Sequence, residues 1–202
     1  MSTNRRVLRA ADLPPDFANA LQGMTADGDP PTTLADAVDA LDQLWKSAGV
    51  MVSVEQMYQP ETTRHAVDFG DQIEYVPCVL DAVIAALVVG TTPVEVRSAE
   101  PNSNESVRLS VTDDGVEVDP VTAVFSFGVA EGDVQNPDLS VLDGTDSVVM
   151  ASCSSINAFR DVTGYRQWQE QISGAHAMQI DVETLVAFAE IAVEEWVTVE
   201  SG

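Results

Sequence analysis

An almost unbroken apolar run from Val79 to Val89 constrains the fold more than any other feature of this chain. A helix that is apolar on all sides has to be buried, so this run predicts a central core helix that ends at Gly90. The one polar residue of the run is Asp81, and Cys78 directly precedes the run. The run is the longest apolar stretch of the sequence, yet it is too short to span a membrane.

The start of this helix has the features of a reactive site. Cys78 is expected at the first turn, where unpaired backbone N–H groups and the positive end of the helix dipole favour a thiolate. Asp81 follows three residues later and therefore lies on the same face, one turn above the sulfur. A carboxylate inside an apolar helix has to be paired or take part in chemistry. The alternative is a cap-like role, in which Asp81 accepts backbone N–H groups.

A second cysteine, Cys153, follows the apolar, strand-like segment 147–152. It lies 75 residues after Cys78, so the sequence contains no local zinc or redox motif. Two buried free cysteines are a plain alternative, because such residues are common in protein cores. Together with Asp81, however, two converging thiols would form a soft-metal site with its own proton carrier. We therefore expect the two sulfurs to lie close enough to share one ion, with Cys78, Cys153 and Asp81 as ligands.

Other candidate residues carry weaker signals. His65 and His176 are the only histidines, too few for a zinc enzyme without help from cysteine. We interpret His65 as structural and His176 as a loop or strand residue without chemistry. Serines flank the second cysteine at Ser152, Ser154 and Ser155, but the nucleophile motif of serine hydrolases is absent. Phosphate-binding glycine motifs are also absent.

The charge balance is extreme, with 33 acidic residues against nine basic ones, of which only Lys46 is a lysine. The acidic residues are scattered along the chain, which favours adaptation to a salty cytoplasm over an acidic tail or a cation-storage protein. Such a surface argues against nucleic acid as a partner. The residues after Arg9 lack the apolar core of a signal peptide, so we expect a cytoplasmic protein without a membrane partner or a structural disulfide.

The pattern of helices and strands predicts an α+β fold in which antiparallel or mixed β-sheets pack with helices. Residues 1–31 contain four prolines and predict a loosely packed segment with one short helix at 16–21. Further helices are predicted at 33–48, 79–89, 160–171 and from Asp181 onward. Strands are predicted at 50–58, 64–76 with a break at Gly70, 93–98, 106–112, 116–118, 123–129 and 147–152, and a loop at 131–145.

Several motifs, in the right order, resemble the organomercurial (alkylmercury) lyase family. Thr63-Arg64-His65, followed by Tyr75-Val76-Pro77-Cys78-Val79-Leu80-Asp81, resembles the Thr-Pro-His and Tyr-Val-Trp-Cys-Ala-Leu-Asp signature of that family. The segment Gly90–Val96 is similar to the strand that follows the active-site helix of the family. Cys153 with Ile156-Asn157-Ala158-Phe159 is similar to its second catalytic cysteine and the Val-His-Phe-Phe after it. The resemblance covers about residues 62–190, including a Trp-x5-Gly spacing.

The resemblance implies a lyase-like catalytic core at 61–202 and a reduced helical region at 1–60. It also shows departures: Pro77 replaces a tryptophan and reshapes the pocket wall, and Ser98 replaces a third, structural cysteine. The reduced region contains one clear helix where the family has a winged-helix-like region.

The same resemblance implies the chemistry. Cys78 would capture an organomercurial small molecule, Cys153 would add as second thiolate, and Asp81 would pass a proton to the leaving carbon. The products would be a hydrocarbon and Hg(II), held until a cytosolic thiol or a mercuric reductase removes it. No cofactor is required, because protonolysis of a carbon–mercury bond is redox-neutral.

Two other functions stay open at this point. The same cysteines suit a protein that sequesters or transfers Hg(II) or Cu(I) without turnover. A lyase-like fold also suits another C–S or C–metalloid substrate. Asp81 favours the enzyme, because a protein that only binds metal has no need of a proton donor there.

Overall fold

The computed structural model describes residues 3–24, 29–47, 53–89, 93–103, 105–130, 153–172, 175–195 and 197. The helices are α1 (Thr3–Arg9), α2 (Pro15–Met24), α3 (Leu34–Ser47), α4 (Val54–Met57), α5 (Val79–Val89), α6 (Val162–Gln169) and α7 (Val182–Glu195). The strands are β1 (His65–Asp68), β2 (Ile73–Val76), β3 (Val94–Ala99), β4 (Ser106–Thr112), β5 (Gly115–Asp119), β6 (Val124–Ala130), β7 (Ala158–Phe159) and β8 (Ala175–Ile180). The predicted α+β class is confirmed.

Strands β1 to β5 form an antiparallel sheet in the order β2-β1-β3-β4-β5. Alternate side chains of β3 and β4 are buried, as expected for a sheet with one face against the core. Helix α5 packs on this sheet and also contacts α7. Its residues from Val79 to Ala86 are all buried, which explains why the helix is apolar all round.

A second antiparallel sheet has the order β7-β6-β8. Its centre is β6, which pairs with β8 from Phe125 to Ala130 and with β7 at its beginning. Phe127 of β6 packs against Phe188 of α7 with ring centroids 4.8 Å apart. Most buried apolar side chains of both sheets belong to one core, whereas Phe159 of β7 packs with Tyr165 and Trp168 in a smaller cluster. The short strand β7 also contacts β3 and β4, so the chain after Cys153 lies beside the first sheet.

The prediction of loose packing for residues 1–31 is wrong for the described part of that segment. Helices α1 and α2 bury Leu8, Phe17 and Leu21 almost completely. Helix α1 packs on α7, and α2 packs on β6 and β8. Leu8 docks α1, and Phe17 and Leu21, four residues apart on one face, dock α2, although the prolines and polar residues of this segment suggested otherwise.

The prediction of a strand at 50–58 is also wrong where the structure describes it, because residues 54–57 form α4. The Ser53 side chain accepts the N–H of Gln56, and the Gln56 side chain accepts the N–H of Ser53 at 3.0 Å. This reciprocal capping box stabilises a helical turn locally. The alternation of valines in this stretch therefore gave the wrong periodicity.

Most of the other described elements agree with the sequence, whereas β7 and β8 were not predicted. The break at Gly70 is a turn between β1 and β2, with a positive φ of 92° that glycine adopts without strain. The predicted helices at 33–48, 79–89 and 160–171, the helix that follows Asp181 and the strands from 93 to 129 are confirmed. The predicted loop at 131–145 and strand at 147–152 lie outside the described residues. The division at residue 60 stays a prediction. None of the helices in the described ranges is long and apolar enough to cross a membrane.

Candidate active site

Cys78 and Asp81 meet at the beginning of α5, as their spacing predicts. Cys78 Sγ accepts the backbone N–H of Asp81 at 3.4 Å, in the manner of a helix cap. The thiol of Cys78 donates to Asp81 Oδ2 at 3.1 Å. The helix therefore holds the sulfur and the carboxyl group on one face, one turn apart.

Cys153 comes to the same place from a different part of the chain. Its thiol donates to Oδ2 of Asp81 at 3.3 Å, so both cysteines contact one carboxylate oxygen. The ligand atoms of Cys78, Asp81 and Cys153 all lie within 4.8 Å of one another. Within the described ranges this is the one group of three or more His, Cys, Asp or Glu side chains arranged to hold a metal ion. The expectation that the two cysteines lie close enough to share an ion is confirmed.

Burial controls the protonation of this site. Cys78 is 0% exposed, Cys153 5% and Asp81 8%. Burial raises the pKa of Cys78 and the pKa of Asp81, because the charged forms lose their contact with water. The hydrogen bond with Cys78 raises the pKa of Cys153 well above its ordinary value, and burial raises it further.

The resting site therefore holds its protons more tightly than exposed thiol and carboxyl groups would. The expectation that the helix terminus favours a thiolate at Cys78 is wrong for this resting state. The loss of water around the sulfur outweighs the stabilisation by the first turn of the helix. A thiolate is then expected when a soft cation takes the place of the proton.

The turn that carries Cys153 is fixed by buried polar groups. Its carbonyl accepts the N–H of Ile156 at 3.1 Å. Ser126 of β6 donates its hydroxyl to the carbonyl of Ser155 at 2.9 Å and accepts the N–H of Asn157 at 3.0 Å. Ser126 and Asn157 are fully buried, so water does not compete for these bonds. The second sheet thereby sets the position of the second cysteine.

Thr63 and Arg64, just before β1, connect the two cysteine-bearing segments. Thr63 contacts the chain near Cys78, and Arg64 contacts the chain near Cys153. Thr63 donates its hydroxyl to the carbonyl of Val76 at 2.7 Å, two residues before the first cysteine. Arg64 donates from Nη2 to Oδ1 of Asn157 at 3.0 Å, and Asn157 donates from Nδ2 to the carbonyl of Ser154 at 3.0 Å. This pair of residues links the beginning of α5 to the turn of the second cysteine.

The two histidines lie outside the cluster of cysteines and aspartate. His65 is 1% exposed, and its Nδ1 lies 2.8 Å from Oγ of Ser98. Burial, together with the charge of Arg64, lowers the pKa of His65 to about 3. His176 lies in β8, with Nδ1 3.3 Å from a carboxylate oxygen of Asp16 in α2. The buried position of His65 agrees with its interpretation as structural, and His176 is a strand residue, one of the two settings predicted for it.

Sequence reasoning did not single out Ser126, Asn157 or Arg64 as parts of the site. Ser126 had a usable signal, because it is a polar residue between two phenylalanines in a strand whose interior is apolar. Asn157 and Arg64 stood in quoted motifs, but only the folded chain shows that their side chains meet.

Two buried thiols that converge on one carboxyl group define a class of site. Sulfur ligands prefer soft, thiophilic metals, and a carboxyl group between them can carry a proton. The α+β fold with this site is therefore that of a thiol-dependent protein acting on a soft metal.

Comparison with known proteins gives the family. The family model described as alkylmercury lyase, MerB, matches residues 60–194, which include all three residues of the cluster. The chain therefore belongs to the alkylmercury lyase family and is an enzyme that cleaves carbon–mercury bonds. The crystal structure of the mercury-bound form of MerB2 has a similar fold, with a TM-score of 0.50 and 11% identity over 97% of this chain and 92% of that one. No curated protein matches the chain.

Proposed function

We propose that this enzyme cleaves organomercurials by protonolysis, with Cys78 and Cys153 as mercury ligands and Asp81 as the proton carrier. The observation that supports this proposal most strongly is that both thiols donate to the same oxygen, Asp81 Oδ2. A proton leaving either sulfur therefore has one common acceptor within hydrogen-bond distance. That arrangement suits a reaction in which thiol protons end on carbon.

The first step is capture of the organomercury cation by Cys78. The sulfur forms a bond to mercury, and the ligand that mercury brought with it leaves with the thiol proton. The first turn of α5 orients this sulfur through the backbone N–H of Asp81. Because the site is buried, sulfur and mercury interact with little competition from water.

The second step breaks the carbon–mercury bond. Cys153 binds mercury and gives its proton to Asp81, while a proton from Asp81 passes to the carbon. The electron pair of the carbon–mercury bond becomes the new C–H bond, so a hydrocarbon leaves and Hg(II) stays on two thiolates. The raised pKa of Asp81 suits this role, because a carboxyl group that holds its proton tightly in water-free surroundings can deliver it to carbon.

No cofactor enters this scheme, since no electrons are gained or lost. Release of Hg(II) then needs another thiol, from a small molecule or from a mercuric reductase. We further propose that the protein works in the cytoplasm of a cell with concentrated salt, on the basis of its 33 acidic and nine basic residues.

Incubation with phenylmercury and excess thiol tests the proposed function, with benzene measured by gas chromatography. We expect benzene and one equivalent of Hg(II) per phenylmercury consumed. A protein that binds phenylmercury tightly but releases no benzene would be a sequestering protein instead. Failure to bind or cleave any organomercurial would favour another C–S or C–metalloid substrate.

A further inference from the structure

Arg64 is a cation that lies close to the turn of the second cysteine. It is an exposed residue, and no carboxylate of the described ranges lies within salt-bridge distance of its guanidinium. Nearby protein partly removes water from the group, and this desolvation lowers the pKa of Arg64. Because Arg64 is exposed, an anionic ligand from solution can reach its guanidinium.

The position of Arg64 links it to the mercury site. Its Nη2 donates to Oδ1 of Asn157 at 3.0 Å, and Asn157 Nδ2 donates to the carbonyl of Ser154 at 3.0 Å. Ser154 is the residue directly after Cys153, and its side chain is exposed. Two hydrogen bonds therefore separate the guanidinium from the backbone beside a mercury-binding sulfur. The arginine side chain has five N–H donors, and among the described residues Asn157 accepts from one of them.

The chemistry of product release suggests what this ligand is. Hg(II) on two buried thiolates leaves only when other sulfur ligands replace them, because water and carboxylates bind a soft metal too weakly. Small biological thiols commonly carry carboxylates, which are repelled by a protein with a net charge of −24. A guanidinium beside the site offsets this repulsion locally and binds a carboxylate through two parallel hydrogen bonds.

We propose that Arg64 binds the carboxylate of the small thiol that removes Hg(II) from Cys78 and Cys153; this inference rests on the proposed function. The incoming thiol forms a sulfur–mercury bond as the bond to one cysteine breaks, and its proton goes to that cysteine. A second thiol repeats the exchange, so the enzyme recovers two thiols and Hg(II) leaves as a bis-thiolate. Mercury stays in the +2 state throughout, and no oxidant or reductant takes part.

Release of Hg(II) from the loaded full-length protein tests this inference. The protein is loaded with one equivalent of Hg(II) and mixed with 3-mercaptopropionate, which carries a carboxylate, or with neutral 2-mercaptoethanol. Rates are compared at equal thiolate concentration, at the lowest salt concentration that keeps every variant folded. Mercury left on the protein is measured by atomic absorption after rapid desalting. The readout is the ratio of the two rates, because a purely structural change would slow both thiols alike.

We expect the wild type to prefer 3-mercaptopropionate, and Arg64→Gln to lower the ratio of rates by roughly tenfold, as for loss of one charge-assisted contact. Arg108→Gln is the matched control, because it makes the same change of charge at an exposed position in β4. The control should keep the wild-type ratio. Equal ratios in wild type and Arg64→Gln, or equal losses in both variants, would overturn the inference.

The result of the Hg(II) release experiment can be told apart from the result of the phenylmercury experiment. Loading and release of Hg(II) involve no carbon–mercury bond, so the ratio can be measured even if no organomercurial is cleaved. Absence of benzene from phenylmercury would reject the lyase chemistry alone. Loss of charge preference in Arg64→Gln, together with benzene formation from phenylmercury by the wild type, would support both proposals.

Discussion

Cys153 donates its thiol to Asp81 across 72 residues of sequence, and the accepting oxygen is the one that Cys78 also contacts. The three groups are buried together, so each depends on the others for its hydrogen bonds. A proton can therefore pass between either sulfur and the carboxyl group without the help of water. This shared oxygen distinguishes the site from a simple pair of metal-binding cysteines.

Replacement of Asp81 by alanine separates catalysis from metal capture. We expect Asp81→Ala to bind Hg(II) nearly as tightly as the wild type, because the two thiolates supply most of the affinity. Protonolysis should slow by roughly a factor of a hundred or more, as is typical for loss of a positioned general acid. Single-turnover release of benzene from bound phenylmercury measures this step.

The exposed residue Glu117 in β5 provides the control for Asp81→Ala, because Glu117→Ala removes a carboxylate that takes no part in the thiol hydrogen bonds. Circular dichroism checks that both variants are folded. Wild-type rates of benzene release in Asp81→Ala would show that another group carries the proton.

Replacement of Cys78 by serine should abolish both capture and turnover. A hydroxyl is a hard, weakly acidic ligand, so the variant loses the soft donor that first binds mercury. Equilibrium dialysis against a competing thiol measures retention of phenylmercury, and gas chromatography measures benzene. Tight retention of phenylmercury by a folded Cys78→Ser protein would assign first capture to Cys153 instead.

Sequence reasoning placed Cys78 and Asp81 correctly, because helical periodicity fixes where residues three apart lie. It brought Cys153 to the same site through the soft-metal chemistry of two thiols and a similarity to a family motif, since no local pattern joins residues so distant in sequence. The hydrogen bond between Arg64 and Asn157 could not be predicted, because it depends on how the two sheets pack. Long-range packing of this kind leaves no periodic signal in the sequence.

The expectation of a thiolate at Cys78 shows a second limit of prediction from sequence, which concerns burial. The sequence locates the helix terminus, whose N–H groups favour negative charge, but it does not show how completely the sulfur is buried. Full burial reverses the direction in which the pKa of Cys78 moves. The error at residues 54–57 has a local cause, because the capping box of Ser53 and Gln56 favours a helical turn over the strand that the valines indicated.

Salt should stabilise this protein. With 33 acidic and nine basic residues, the folded chain repels itself at low ionic strength, and dissolved ions screen that repulsion. We expect the Tm to rise from dilute buffer to molar KCl. A non-ionic osmolyte at equal osmolarity is the control, because it does not screen charge. A Tm that is flat or falls over this range would refute adaptation to high salt.

The buried imidazole of His65 should make the free energy of unfolding depend on pH below about 6.5, a range that begins above the pKa values of ordinary carboxylates. Its pKa is about 3 in the folded protein and about 6.5 in the unfolded chain, so only the unfolded chain gains a proton between these values. The contribution of neutral His65 is therefore complete above pH 6.5 and is lost as the pH falls toward 3. Between about pH 6.5 and pH 5 we expect the free energy of unfolding to fall by roughly 1.5 to 2 kcal/mol from this group.

Urea unfolding at several pH values measures this loss, and His65→Gln should remove it because glutamine does not titrate. Since His65 is fully buried, the variant also loses stability at every pH, but its slope between pH 6.5 and pH 5 is the quantity to compare. An NMR titration of the wild-type imidazole provides a second measurement that does not depend on the variant. An imidazole that gains its proton near pH 6 in the folded protein would contradict the prediction, as would an unchanged slope in a folded His65→Gln.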